Sequence, residues 1–253
     1  MLEELNNLFA LDGWDWVLLA LAAIFIGMSK TGFGVGYPAV VLIMAFLFGD
    51  KQSTGVLVPL LIFADILAVI YYRKIASWNY IIKLLPWTMV GIVVGVLVGG
   101  YVSETVFGYI MGGIILGGAA IMIVLEFQKS EVIPDYPWFA ALMGFLGGFT
   151  TMVGNFAGPV MSVYLLSMRL PKDQFIGTGA WFFFIINLVK VPFHLFVWKT
   201  MSINSFVLDL YLLPIIIMGG LLGIFIVKLF SERVYRRLII AITVFSALFI
   251  LVK

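Results

Sequence analysis

Long apolar runs, cut by short polar or Gly/Pro-rich breaks, order this chain from end to end. In the first half they cover about 14–28, 37–48, 54–72, 80–101 and 105–125. In the second half they cover about 136–149, 159–168, 175–197, 207–228 and 233–252, after a linker at 126–135. The last three runs of each half are long enough to cross a hydrocarbon core of about 30 Å. The first two are short, and at about 1.5 Å per residue neither crosses comfortably. Each short pair therefore predicts a helix–turn–helix hairpin that dips in and returns to the same side. One hairpin plus three crossings per half leaves the two halves in opposite orientation.

The halves also match residue by residue. Pro86, Gly91, Gly95, Ser103, Glu104 and Val106 recur 128 positions later as Pro214, Gly219, Gly223, Ser231, Glu232 and Val234. Gln52, Gly55 and Asp65 match Gln174, Gly177 and Asn187 at 122, and Gly27 and Pro38 match Gly148 and Pro159 at 121. The offset changes only in expected loops, where insertions are tolerated. The fold class is an all-α polytopic membrane protein of two inverted repeats, 1–125 and 136–253, each a broken hairpin plus three transmembrane helices. Inverted repeats are a mark of transporters.

Composition agrees: the chain is 63% hydrophobic and 11% charged, with mean hydropathy +1.16. A soluble domain is nearer half apolar and a quarter charged. The net charge of +2 says nothing about nucleic acid, no basic tract is present, and no nucleic-acid partner is expected. No Cys is present, which excludes disulfides and thiol chemistry. The acidic start, with Glu3, Glu4, Asp12 and Asp15, lacks the basic flank of a signal peptide, so the first apolar stretch is expected to be retained. With returning hairpins, the Lys and Arg residues flanking the spans divide ten against three; with hairpins that cross, they divide seven against six. The positive-inside rule favours the first arrangement and places both termini outside the cytoplasm. The apolar surface faces the lipid bilayer, and composition does not separate it from a homodimer interface.

The two breaks carry the candidate chemistry. The first reads SKTGFGVGYP, with Ser29, Lys30, Thr31, Gly32 and Gly34. The second reads TTMVGNFAGP, with Thr150, Thr151, Gly154, Asn155 and Gly158. Irregular backbone at membrane depth survives only in protein or beside water, and a returning half-helix aims N–H groups and partial positive charge at the tip. Tips entering from opposite faces are expected to meet near the midplane and to hold a small oxyanion. The alternative is glycine packing with capping hydroxyls. Ionisable residues within the runs are costly and mostly functional: Lys30, Asp65, Lys190 and His194. Asp65 is either a proton-coupling group or a structural counter-charge to Lys30. Asn187, Lys190 and His194 share one helical face, and Pro192 should kink that helix. Asn187 and Lys190 join the substrate-binding set; His194 is a candidate proton relay. Trp181, Phe182, Phe183 and Phe184 read as packing or lipid-facing, and Lys83, Asp209 and Lys228 as near enough to helix ends to snorkel.

SKTGFGVGYPAVVL, DKQSTGVLVPLLIFADILAVIYYRK, GGFTTMVGNFAGPVMSVYLLSM and FIGTGAWFFFIINLVKVPFH together resemble the sulfite exporter TauE/SafE family, also called the toluene sulfonate uptake permeases. The resemblance covers about Trp16 to Val252, with a sparser glycine cluster than many members carry. It implies transport of sulfite, sulfonates or related sulfur anions across the bacterial cytoplasmic (inner) membrane. Export of sulfite by alternating access is the leading expectation, with import of sulfonates or other organic anions, and a passive anion channel, as alternatives. An enzyme is not expected, since no nucleophile–base pair assembles from one His and no Cys; neither a cofactor nor a metal is expected.

Overall fold

The computed structural model describes residues 9, 11–32, 37–99, 101 and 135–252. Among them all regular structure is helical: α1 Gly13–Thr31, α2 Tyr37–Phe48, α3 Asp50–Tyr72, α4 Trp78–Val98, α5 Pro137–Gly154, α6 Ala157–Ser167, α7 Lys172–Pro192 with a π turn Phe193–Val197, α8 Ile203–Lys228 and α9 Glu232–Val252. Six of the described helices are long and apolar enough to cross a membrane: α1, α3, α4, α5, α7 and α8. The expected span 105–125 and most of the linker lie outside the described residues.

The helix boundaries change one expectation. The first arms of the hairpins have 19 and 18 residues, about 28 and 27 Å, so both approach the full core thickness. The returning arms, with 12 and 11 residues, are the short ones. The polar residues at the end of each first arm do not stop the helix, because their hydroxyls bond back to its own carbonyls. Thr31 Oγ1 lies 3.0 Å from the Gly27 carbonyl oxygen, and Thr150 Oγ1 lies 3.2 Å from that of Gly147. The first break therefore begins at Gly32. The second narrows to Asn155 and Phe156, where Asn155 adopts the left-handed conformation (φ 59°) that closes a helix.

The chain forms two compact units, Met1–Tyr71 with Phe183–Leu229, and Tyr72–Phe182 with Phe230–Lys253. In the first unit α1 packs on α8 through glycines. A methyl on Gly27 would overlap the Ile216 carbonyl, one on Gly219 the Ile24 carbonyl, and one on Gly223 would strike Met28 and Thr31. Leu19, Ala23, Ile26, Met44, Leu57 and Leu212 fill the core beside this seam.

In the second unit α4 packs on α5 in the same manner. A methyl on Gly148 would overlap the Thr88 carbonyl, one on Gly91 the Phe145 carbonyl, and one on Gly95 would strike Phe149 and Met152. Arg236 Nη2 of α9 donates to the Leu166 carbonyl at the end of α6 (2.6 Å), and Lys172 Nζ to that of Phe230 (2.7 Å).

The contacts of one unit translate into those of the other by the sequence offsets alone. Adding 128 to Thr88, Gly91 and Gly95 gives Ile216, Gly219 and Gly223; subtracting 121 from Phe145, Gly148, Phe149 and Met152 gives Ile24, Gly27, Met28 and Thr31. Likewise Gly55 abuts Thr200 while Gly177 abuts Tyr72. Each hairpin thus packs against a span from the other half of the sequence. Small residues at these crossings let helix backbones approach where lipid supplies no hydrophobic drive for association.

Candidate functional site

In the first unit the last turn of α1, the middle of α3 and the C-terminal part of α7 bring polar side chains together inside apolar helices. Lys30 Nζ lies 2.9 Å from Asp65 Oδ1, with side chains 9% and 0% exposed. The approach to Oδ1 is electrostatic and off hydrogen-bond alignment. Asn187 Nδ2 donates to Asp65 Oδ2 at 2.6 Å. Lys30 Nζ also sits 4.1 Å from the centre of the Phe183 ring, within cation–π range. Lys190 is fully buried and acts electrostatically on both Lys30 and Asp65. One carboxylate thus organises an amide and an ammonium group, with a second lysine side chain nearby. Charges this deep persist only when paired.

His194 follows on the same face of α7, where Pro192 gives way to the π turn rather than to a simple kink. Its Nδ1 lies 2.8 Å from Thr200 Oγ1, its ring meets Trp198 edge-on at 5.6 Å, and its Nε2 is buried with no hydrogen-bond partner among the described residues. Gln52 Nε2 donates to the Thr200 carbonyl (3.1 Å) and Gly55 packs against the same residue, so the first-half motif braces the turn beyond His194.

The remaining predicted site residues occupy the hairpin tips. In the first unit Ser29 is half-buried, and Thr31 is buried with Oγ1 2.7 Å from the Gly220 carbonyl oxygen of α8. As placed, the Thr31 hydroxyl joins α1 to α8. Gly32 is buried, with no room for a methyl beside Gly223; Gly34 lies outside the described residues. The second tip belongs to the second unit. There Thr150 bonds its own helix, Thr151 and Asn155 are buried, Gly154 is half-buried, and a methyl on Gly158 would meet open space.

Two residues depart from their sequence-based assignments. Phe183 is not merely packing, since its ring face covers Lys30. It stands at i−4 from Asn187 and i−7 from Lys190, a spacing that puts it on their face. Asp209 does not snorkel: it is fully buried. By contrast, Lys83 does reach the surface, where it pairs with Asp135 at 2.7 Å.

A family model described as Sulfite exporter TauE/SafE matches residues 18–250. No curated protein and no solved structure matches the chain. A match over nearly the whole length, on a helical chain with six candidate spans among its described residues and ionisable groups inside them, settles its kinship. The chain belongs to the sulfite exporter TauE/SafE family.

Proposed function

We propose that this multi-pass membrane transporter exports a small sulfur-containing anion, sulfite first, from the bacterial cytoplasm by alternating access. The buried Lys30–Asp65–Asn187 cluster with Lys190 beside it carries the reading. An oxyanion needs ammonium or N–H donors at membrane depth; Lys30 supplies an ammonium group there and Lys190 a second amine. Asp65 holds Lys30 in the apolar interior when no anion is bound. An arriving anion competes with that carboxylate for the ammonium, and Asn187 keeps Asp65 in place during the exchange. The contacts that repeat between the two halves support an architecture of two repeats, and the ten-against-three division of Lys and Arg supports their inversion with both termini outside the cytoplasm. An inside-negative potential favours anion exit by about 2.3 kcal/mol per charge per 100 mV, so downhill export does not require a coupled ion, although one can add to it.

Uptake of sulfonates or other organic anions is the second reading. It is favoured by the buried carboxylate of Asp65, since uptake against the potential requires a coupled charge such as a proton. Flux in proteoliposomes separates the two. Export predicts sulfite efflux that quickens with a potential negative on the loaded side and still runs downhill when an uncoupler removes the proton gradient. Saturable sulfonate uptake abolished by the uncoupler would replace that reading with the second.

A further inference from the structure

Asp209 lies on α8 about 9 Å past the helix start, well inside the apolar span. Asp209, Leu212, Ile216, Gly219 and Gly223 recur along one helical face and all are buried; the last three lie against α1. Shifted by 128 residues, the same face of α4 reads Ile81, Leu84, Thr88, Gly91 and Gly95, also buried. The second half thus carries a carboxyl where the first carries a fully buried isoleucine. Among the described residues neither oxygen of Asp209 has a hydrogen-bond partner.

Among the described side chains, the charged groups on the helices packed against α8 are engaged elsewhere. On α1, Asp15 accepts from the Asp12 N–H (2.9 Å) and Lys30 pairs with Asp65. On α3, which meets α8 at Phe63 and Phe206, Asp65 holds Lys30 and Lys51 lies over the Trp198 ring. No ion pair reaches Asp209 among the described residues. An ionised carboxylate so enclosed costs several kcal/mol, and a bound proton removes that cost.

We propose that Asp209 is held as a neutral carboxylic acid on the α1-facing side of α8, and that it is the group that releases and regains a proton during the transport cycle. This rests on the transporter reading above. The O–H bond breaks to water when the carboxyl opens to one side and re-forms with a proton taken from the other; no electrons move. The isoleucine at the equivalent place shows that packing alone does not require an acid there.

Infrared difference spectroscopy on purified protein gives a readout independent of substrate. The wild type should show a carboxylic-acid carbonyl band that disappears in Asp209→Asn; absence of such a band overturns the proposal. In proteoliposomes, an imposed gradient of one pH unit should raise anion accumulation about tenfold for one coupled proton. Asp209→Asn should keep anion counterflow and lose that gain, and an unchanged gain in the variant overturns the coupling role. Should Asp209→Asn fail to fold, Asp209→Ile, which copies the first half, takes its place in both measurements. If the wild type moves no sulfur anion, the transport reading fails and the infrared band alone decides the state of Asp209.

Discussion

Asp65 and Asn187, which stand at equivalent positions in the two halves of the sequence, hydrogen-bond directly to each other at 2.6 Å. The two residues are counterparts by the 122-residue sequence offset, and α3 and α7 bring them into contact. One copy carries the acid and the other its amide, so a carboxylate meets a donor instead of a like charge. The difference between the two copies of the sequence is what makes the contact bonding, and it leaves the acid's other oxygen to Lys30.

The buried pair should be strongly coupled. Lys30→Met or Asp65→Asn alone should cost about 3–5 kcal/mol by stranding the remaining group. The double variant should cost clearly less than the sum, as read by thermal unfolding in detergent. Additive losses would show that the two groups do not depend on each other.

Lys83 and Asp135 make the opposite case. Their side chains are 37% and 38% exposed, so Lys83→Ala should change stability by less than about 1 kcal/mol. A larger loss would mean that the contact is not the surface pair it resembles.

Glycine substitutions should sort by the space they meet. Gly91→Val and Gly219→Val press a side chain into a facing backbone carbonyl and should each destabilise by about 1–3 kcal/mol or more. Gly158→Ala meets nothing within 4 Å and should be tolerated. Equal losses at all three positions would contradict the interlocked crossings.

The Thr31 hydroxyl ties α1 to α8 through the Gly220 carbonyl. Thr31→Val keeps the shape and removes the bond, so it should cost about 0.6 kcal/mol and no more than about 2. Retained anion affinity in the folded variant would fit a packing role, whereas a large affinity loss without a stability change would make Thr31 a ligand.

Much of this was legible in the sequence because the period and the offsets encode contacts. The 128 and 121 spacings marked glycines whose contact partners in one unit are the offset images of those in the other. The i, i+3, i+7 spacing of Asn187, Lys190 and His194 anticipated three buried side chains. The helix ends at Thr31 and Gly154 were less legible, since hydropathy reads a threonine as polar even when its hydroxyl bonds its own helix. Phe183 was hidden among four consecutive aromatics, which hydropathy does not rank by face. Asp209 misled because distance from a helix end does not report whether a neighbouring helix covers the residue.

The most direct test of the account is sulfite binding to purified protein, with sulfate, thiosulfate and a small sulfonate as competitors, repeated on Lys30→Ala protein shown to be folded. The account predicts saturable sulfite binding in the wild type and its loss in the variant. Undiminished binding in Lys30→Ala, or no binding of any sulfur anion by the folded wild type, would contradict it.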